Sequence, residues 1–478
     1  MSRLRNQTSS DGIPEGGIPA GGAPRFSRRQ ALLAGLFGAG GLGWRAIATG
    51  LPAWFISRPG RAGAQELECA LSAKDRAQFL VVSASSAGDP HSCNVPGTYD
   101  NPEIIHPTQA EFAPTPITLG DKQVTGAQIW STLTPAVLGR ANFFHHITSG
   151  LVHGDHPKVM RLVGKTSGGE MWPSVYAKHL HGCLGTVQPE PVAVGANGAL
   201  EFISFTGRTL PMVSPTQLKQ LLTGSKTDPV VKLRKLRDQT LDQLNATFKA
   251  GATPAQVTFL DAMANSQLRV RELAESLATT LTAIKNNTVA GQALAAAALF
   301  AAKVTPVVTL HIPFGGDNHT DADLYDEWYD HADKGGKSTG VPGVQAVMDA
   351  LAALGLQDQA TFATMNVFGR DLSGTAKVDS RGGRDHFGNH SVMLMIGKNV
   401  NPGVTGGTTI ISGKVFGASD IDSQTGASLA SGGDVPRADT HVAAAKTLGV
   451  ALGIDPALLD PDFTDGGSVK AVKSAVVA

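Results

Sequence analysis

The chain has 478 residues, of which 42% are hydrophobic and 17% are charged. This composition can bury a large core, and it excludes wholesale disorder, which requires low hydrophobicity and high charge. Because 40 Lys and Arg residues balance 40 Asp and Glu residues, the chain is not expected to bind nucleic acid through bulk electrostatic attraction.

The N-terminal region has the features of an export signal. Ser27, Arg28 and Arg29 precede a weakly hydrophobic segment over 31–44, and Ala62-Gly63-Ala64 has the small-x-small form of a signal-peptidase site. We therefore predict that residues 1–64 comprise a disordered N-terminus and a twin-arginine signal peptide. The expected partner is the twin-arginine export machinery, and the expected location is periplasmic or secreted. No stable membrane span is expected after processing, because no apolar run approaches the roughly 20 residues that a span needs.

Continuous apolar runs predict strands that are buried on both faces of a sheet. The runs, in chain order, are Gln78–Ser85, Lys158–Val163, Ala199–Phe205, Val304–Ile312, Thr361–Phe368 and Ser391–Ile396. Helical patterns separate several of them, for example over Gly343–Leu354 and Arg437–Leu452. This alternation predicts an α/β fold, a three-layer α/β/α sandwich with a mixed, mostly parallel sheet.

The segment 214–300 has a different pattern. Ser214 is placed as a helix N-cap, Pro215 follows at the first helical position, and Gln217 completes a capping box. A further helix start is indicated by Thr253-Pro254. We predict an α-helical insertion that packs against the main core and carries no chemistry of its own.

The sequence contains three cysteines. Cys69 and Cys93 flank the first predicted strand, 24 positions apart. A disulfide between them would gain about 3 kcal/mol from loop closure in a chain-entropy model. We predict this bond in an oxidising compartment, with Cys183 as the free thiol.

Two polar, glycine-flanked clusters follow consecutive predicted strands. Asp317 and His319 come after Val304–Ile312, and Asp385 and His386 follow the next strand. Ligands in open α/β sheets bind beyond the carboxyl ends of the strands, and Asp and neutral His are ligands of zinc and manganese. The two clusters therefore predict a shared metal site; the alternative is that all four residues are solvated loop residues.

Two arginines lie in the same segments. Arg370 follows the strand run that ends at Phe368, and Arg384 directly precedes Asp385. A guanidinium group suits a phosphate or sulfate oxyanion, to which it donates two parallel hydrogen bonds. We predict that Arg370 or Arg384 stabilises the oxygens of such an ester.

Other histidines are candidates for secondary roles. Four of them crowd into twelve residues and are interpreted as loop and helix-end residues, with the alternative that one lines the site: His145, His146, His153 and His156. Two more are reserve ligands, His390 and His441, the latter close to Asp439 at the start of the last predicted helix.

These motifs resemble a known family. The family commonly has Gly-Trp-Asp-Thr-His where this chain has Gly315-Gly316-Asp317-Asn318-His319, and further similarity lies in Phe368–Arg370, Gly383–His386 and the closing Leu448–Asp455. From Phe79 to Val469 the order of features is similar to the exported bacterial family DUF1501. That family is distantly related to the alkaline phosphatase and sulfatase superfamily. The resemblance implies an alkaline-phosphatase-like fold with Asp317, His319, Asp385 and His386 as metal ligands.

The departures from the family bear on its chemistry. Gly316 replaces the family's tryptophan, and the chain has no Cys-x-Pro-Ser-Arg or Ser-x-Pro-Ser-Arg motif, which disfavours a formylglycine sulfatase. The superfamily's Ser or Thr nucleophile has no unique counterpart. Four serines remain candidates: Ser85, Ser86, Ser92 and Ser149.

The expected organisation is residues 1–64 as the signal region, 65–470 as the alkaline-phosphatase-like domain with its insertion at about 214–300, and 471–478 as a tail. The expected function is metal-dependent hydrolysis of phosphate or sulfate esters, with zinc, manganese, calcium or magnesium as the ion. The alternative is a non-catalytic secreted protein on the same fold that binds a cell-surface or polysaccharide partner.

Overall fold

The computed structural model describes residues 76–87, 94–195, 202–203, 209–210, 212–223, 234–272, 274–317, 324–373, 384–463 and 468–477. The strands, in chain order, are β1 Phe79–Ser85, β2 Pro114–Leu119, β3 Lys122–Ala127, β4 Ala141–His146, β5 Val192–Val194, β6 Phe202–Ile203, β7 Thr209–Leu210, β8 Met212–Val213, β9 Val307–Leu310, β10 Ala360–Asn366, β11 Gly369–Arg370, β12 His386–Phe387, β13 Ser391–Ile396, β14 Gly403–Thr405, β15 Thr408–Ser412, β16 Val415–Ala418, β17 Asp420–Ile421 and β18 Ser428–Leu429.

The α-helices are α1 Pro135–Leu138, α2 His156–Met160, α3 Trp172–Leu184, α4 Pro215–Thr223, α5 Arg234–Lys249, α6 Pro254–Glu272, α7 Ala274–Ala283, α8 Val289–Ala301, α9 Tyr325–His331, α10 Gly340–Ala353, α11 Thr440–Ala451 and α12 Pro456–Leu459. Short 3-10 helices occupy Ala110–Phe112, Gln128–Thr132, His153–Asp155, Leu162–Gly164, Ser167–Gly169, Arg437–Asp439 and Lys473–Ala475. In the part of the chain that the structure describes, no helix is both long enough and apolar enough to cross a membrane.

Eight strands form one mixed sheet in the order β14-β4-β13-β10-β1-β9-β5-β8. Strand β13 runs antiparallel to both of its neighbours, and the other pairs are parallel. All seven residues of β1 are buried, as the continuous apolar run predicts for a strand covered on both faces. The protein therefore has an α/β fold with a mixed, mostly parallel sheet.

Alternate side chains of the strands enter two separate hydrophobic clusters. Phe79 and Val81 of β1 join the cluster that contains residues of α8 and α10. Leu80 and Val82 join the cluster that contains residues of α3 and α11. Fully burying a Val or Leu side chain contributes about 1.5–3 kcal/mol, so burial on both faces accounts for much of the stability of the sheet.

The helices α4 to α8 occupy the segment in which the sequence predicts a helical insertion. The predicted capping box forms at the start of α4: the hydroxyl of Ser214 accepts a hydrogen bond from the Gln217 backbone N–H at 3.2 Å. The Gln217 side-chain oxygen accepts one in return from the Ser214 backbone N–H, also at 3.2 Å. Each bond satisfies a backbone N–H that the first turn of a helix leaves without an intrahelical partner.

One predicted strand is wrong, and another falls mostly outside the described residues. The run Lys158–Val163 is helical: α2 covers its first half, and a 3-10 helix begins at Leu162. Pro157 lies in the first turn of α2, where proline favours a helix start, and a short apolar run by itself does not distinguish a strand from a buried helix. Of the run Ala199–Phe205, the structure describes Phe202–Ile203, which form β6.

The prediction for the cysteines is also wrong in part. Cys183, predicted to be the free thiol, is disulfide-bonded. Cys69 and Cys93 both lie outside the described residues. Cys183 lies in the last turn of α3, far along the sequence from the other two cysteines, so sequence spacing favoured the wrong pair.

Candidate functional site

The polar residues of the site collect at one edge of the sheet. The carboxyl ends of β1, β4, β9 and β10 lie at this edge, and because β13 is antiparallel, its amino end lies there too. His153 follows β4 by seven residues, Asp317 follows β9 by seven, and His386 precedes β13 by five. Loops from three strands that are separated along the chain thus meet where ligands bind in open α/β sheets.

Three side chains converge at this edge. The Nε2 atom of His153 lies 2.9 Å from Oδ1 of Asp317, and the Nε2 atom of His386 lies 3.4 Å from the same oxygen. One ligand atom from each of the three residues lies within 4.8 Å of the others. Among the described residues, this is the one group of three or more His, Cys, Asp or Glu side chains arranged to hold a metal ion.

The hydrogen bonds on the far side of each imidazole fix which nitrogen faces the carboxylate. Nδ1 of His153 lies 2.5 Å from the Ser86 carbonyl oxygen, and Nδ1 of His386 lies 2.7 Å from the Leu151 carbonyl oxygen. A carbonyl oxygen can only accept, so each Nδ1 carries the hydrogen and each neutral ring presents the lone pair of Nε2 to Asp317. Three acceptor atoms thus face one another, and a proton or a metal ion is needed between them.

Aromatic packing and a tight loop hold the two rings. The ring of Phe368 stacks on His386 at a centroid distance of 4.1 Å, and it meets His153 edge-on at 5.1 Å. A Cβ atom added to Gly150 would lie 2.3 Å from the Val367 carbonyl oxygen, so only glycine permits this approach of the His153 loop to the end of β10.

Arg370 links the loops of the site. Its side chain is 0% exposed, and its guanidinium donates to the carbonyl oxygen of Gly316 at 2.9 Å and to Oδ1 of Asp317 at 3.2 Å. The same group contacts the carbonyl oxygens of Ala87 at 3.5 Å and Arg384 at 3.4 Å. These contacts make Arg370 a positioning residue that holds Asp317, whereas the sequence-based prediction had it contact the substrate.

The charges around Asp317 stabilise its ionised form. Burial would raise the pKa of the Asp317 carboxyl, but this effect is outweighed by the hydrogen bond from Arg370 and by those that His153 and His386 donate when Nε2 carries a second proton, so the pKa of Asp317 lies well below the usual range. Burial lowers the pKa of His386, although its hydrogen bonds to Leu151 and Asp317 oppose the shift. A permanently ionised carboxylate beside an imidazole that loses its proton readily is well suited to bind a cation.

The structure brings together two of the four predicted metal ligands, Asp317 and His386. Asp385 is exposed, and its Oδ1 accepts a hydrogen bond from the His386 backbone N–H at 2.8 Å, so it lies outside the group of three. His319 lies outside the described residues. Arg384 is half-buried and contributes its carbonyl oxygen to Arg370.

Sequence reasoning did not single out His153 as a ligand. The crowding of four histidines was the only available signal, and one of the four does line the site. His145 and His146, interpreted as loop or helix-end residues, instead lie in β4 and are fully buried. The reserve ligands lie elsewhere: Nε2 of His390 is 2.9 Å from Nδ1 of His145, and His441 packs on His146.

The ligand set narrows the choice of metal. Two imidazole nitrogens and one carboxylate oxygen suit zinc or manganese, which accept nitrogen ligands. Calcium and magnesium bind through oxygen atoms, so the two histidines disfavour both of these predicted ions.

Comparison with known proteins gives a single result that bears on identity. None of the curated proteins and none of the solved structures shows a significant match to the chain. Residues 198–419 match the model of a family described as "Protein of unknown function (DUF1501)". The matched segment includes Asp317, Arg370 and His386, whereas His153 precedes it. This segment, slightly less than half of the chain, is therefore similar to the DUF1501 family.

Proposed function

We propose that the protein is a metal-dependent hydrolase of phosphate or sulfate esters. The observation that carries the proposal is the convergence of Nε2 of His153, Nε2 of His386 and Oδ1 of Asp317 with both Nδ1 atoms already donating to backbone carbonyls. Outer hydrogen bonds of this kind fix the tautomer of a metal-ligating histidine. Three protein ligands leave one position of a tetrahedral ion open, as in catalytic zinc sites.

A metal ion bound there would polarise the ester oxygen and lower the pKa of a bound water. Hydrolysis adds the water oxygen to phosphorus or sulfur, breaks the ester bond, and transfers a proton to the leaving oxygen. The chain itself supplies the fixed ligands and the guanidinium of Arg370, which holds Asp317 in place. We assign the ester's remaining oxygens to Arg384, because Arg370 is committed to four contacts within the protein.

We further propose that the fold is a three-layer sandwich of the alkaline-phosphatase-like class. Support comes from the two hydrophobic clusters on opposite sides of the sheet, each with its own pair of long helices. The position of the candidate ligands at the carboxyl edge of parallel strands agrees with this proposal.

Hydrolysis of an aryl phosphate and an aryl sulfate tests the function directly. The protein loaded with Zn²⁺ or Mn²⁺ should hydrolyse at least one of them, and a chelator should abolish the activity. His386→Gln should lower kcat/KM by about 100-fold or more, because it removes a metal ligand. Loss of only the groups that hydrogen-bond to such a ligand typically lowers metal affinity or activity by about 10–100-fold. His179→Gln is the matched control, because His179 also faces an aspartate, Asp462, at 2.7 Å. Retained metal with no hydrolysis of either ester would contradict the hydrolase proposal and favour a non-catalytic binding protein.

We propose that the protein is exported by the twin-arginine machinery and functions in the periplasm or outside the cell. The support is the sequence Ser27-Arg28-Arg29 with its weakly hydrophobic segment. Changing both Arg28 and Arg29 to lysine should leave precursor in the cytoplasm, whereas the wild-type protein should begin near Gln65. Fractionation with N-terminal sequencing measures this outcome. Normal export of the double variant would contradict the proposed route.

A further inference from the structure

The disulfide bond of Cys183 has two candidate partners. Cys183 lies in the last turn of α3 and is disulfide-bonded, and the other cysteines of the chain are Cys69 and Cys93. Both lie outside the described residues, but Asn94, which directly follows Cys93, is described and fully buried. Because the Cα atoms of adjacent residues lie about 3.8 Å apart, the position of Asn94 decides between the two candidates.

The end of α3 lies at the amino edge of the sheet. Just beyond Cys183, the Val187 backbone N–H donates to the Lys303 carbonyl oxygen at 2.9 Å, and the Gln188 N–H donates to the Val304 carbonyl oxygen at 3.0 Å. These two carbonyls shortly precede β9, and α3 contacts both β1 and β9. Cys183 therefore lies at the end of the sheet where β1 and β9 begin.

The residues that follow the second cysteine lie at the other end of the sheet. The carbonyl oxygen of Asn94 accepts a hydrogen bond from the Ala127 backbone N–H at 3.1 Å. The Pro96 carbonyl oxygen lies 2.9 Å from Nε2 of His145, near the carboxyl end of β4. Val95 belongs to the hydrophobic cluster that contains residues of α8 and α10, whereas α3 belongs to the cluster on the opposite face. This segment thus differs from α3 in both its end and its face of the sheet.

The separation between these two positions excludes Cys93 as the partner. Strands β13 and β10 lie between β4 and β1, so at about 4.8 Å per strand β4 is about 14 Å from β1 and about 19 Å from β9. The opposite ends of these strands add a separation of roughly 20 Å along the strands. The Cα atoms of a disulfide lie at most about 7 Å apart. With one further residue, a bond to Cys93 would allow only about 11 Å between Asn94 and Cys183.

The other candidate approaches the correct end of the sheet. The chain enters β1 at the amino edge, where the Gln78 backbone N–H donates to the Leu452 carbonyl oxygen at 3.0 Å. Leu452 directly follows α11, on the same face of the sheet as α3. Cys69 lies seven positions before Arg76, the first described residue, and an extended chain of this length spans up to about 25 Å. Cys69 is therefore within reach of the end of α3.

We propose that Cys69 and Cys183 form a disulfide that fastens the segment before β1 to α3, and that Cys93 remains a free thiol. The two thiols lose two protons and two electrons, and a small-molecule or protein disulfide accepts them and is reduced to two thiols. The bond closes a long loop and so restricts the unfolded chain, which stabilises the native protein. An oxidising compartment preserves such a bond. The inference does not depend on the proposed hydrolysis.

Peptide mapping without reduction identifies the pair. Folded protein is equilibrated in a buffer of reduced and oxidised glutathione, so the result does not depend on export, and is then denatured, alkylated at its free thiols and digested with trypsin. Cleavage after Lys74 and Lys178 places the three cysteines on different peptides. The map should contain Cys69 linked to Cys183, with no link to Cys93. A linked pair that contains Cys93, or alkylation of all three cysteines, would overturn the proposal.

Serine variants provide an independent readout of the same bond. In denaturant, the wild-type protein should have one free thiol per chain, Cys69→Ser and Cys183→Ser should have two, and the control Cys93→Ser should have none. The thermal midpoint of Cys69→Ser should fall by several degrees, to that of the reduced wild-type protein, because both lack the cross-link. A Cys69→Ser protein without a free thiol would show that Cys93 and Cys183 are paired and would contradict the proposal.

Discussion

Replacing Asp317 by asparagine is expected to remove one bound metal ion per chain and abolish hydrolysis. The amide is neutral and a weak metal ligand, whereas the carboxylate is the only charged ligand in the group of His153, Asp317 and His386. The affinity of this centre for Zn²⁺ should fall by more than about 100-fold. Loss of only the groups that hydrogen-bond to a metal ligand already lowers metal affinity by about 10–100-fold. Elemental analysis and titration with Zn²⁺ measure the change.

Asparagine is the substitution of choice at position 317 because it is expected to leave the fold intact. Arg370 is buried and donates to Oδ1 of Asp317 at 3.2 Å, and the amide oxygen of asparagine can still accept this hydrogen bond. Alanine would leave the buried guanidinium without its anion, which is strongly destabilising. Asp462→Asn is the matched control, because Asp462 also contacts a histidine nitrogen at 2.7 Å. Equal metal content in the two variants would contradict the assignment of Asp317 as a ligand.

The second large expected effect is loss of stability as the pH falls from about 6.5 to about 4. Burial lowers the pKa of His106, His156 and His311 from 6.5 to about 4. The unfolded chain therefore takes up protons in this range while the native protein does not, and the free energy of unfolding falls with the pH. Each such group lowers the stability by up to about 3 kcal/mol at acid pH. This loss is complete once the pH lies below the folded pKa values and absent above 6.5.

Urea unfolding at several pH values tests this expectation. Three such groups amount to roughly 10 kcal/mol at most, which is comparable with the whole stability of a typical protein. The urea midpoint should fall steeply between pH 6.5 and 4. His156→Leu should reduce the proton uptake on unfolding by about one, because leucine does not titrate. The substitution breaks no hydrogen bond at Nε2 of His156, since this atom has no hydrogen-bond partner in the described structure. A urea midpoint that stays constant from pH 7 to 5 would contradict the prediction.

Local patterns in the sequence determined much of the fold. The apolar runs at β1, β9, β10 and β13 predict strands because a strand covered on both faces must be apolar throughout. The capping box of Ser214 and Gln217 predicts the start of α4 because both partners lie within one turn. The glycine-flanked polar segments after two strands likewise drew attention to Asp317 and His386. These features depend on neighbours in the sequence, so the sequence alone reveals them.

Tertiary structure alone decided which residues meet at the site. His153 becomes a candidate ligand because β4, whose short segment Ala141–His146 was not recognised as a strand, lies beside β13 in the sheet. The pairing of Arg370 with His386 across β11 and β12 buries the guanidinium against Asp317 and makes it a positioning residue. Asp385 and His386 are adjacent in the sequence, yet only His386 faces the site, because Asp385 is exposed and bonds to the backbone instead. Strand order and side-chain direction depend on contacts between distant segments, and no local pattern encodes such contacts.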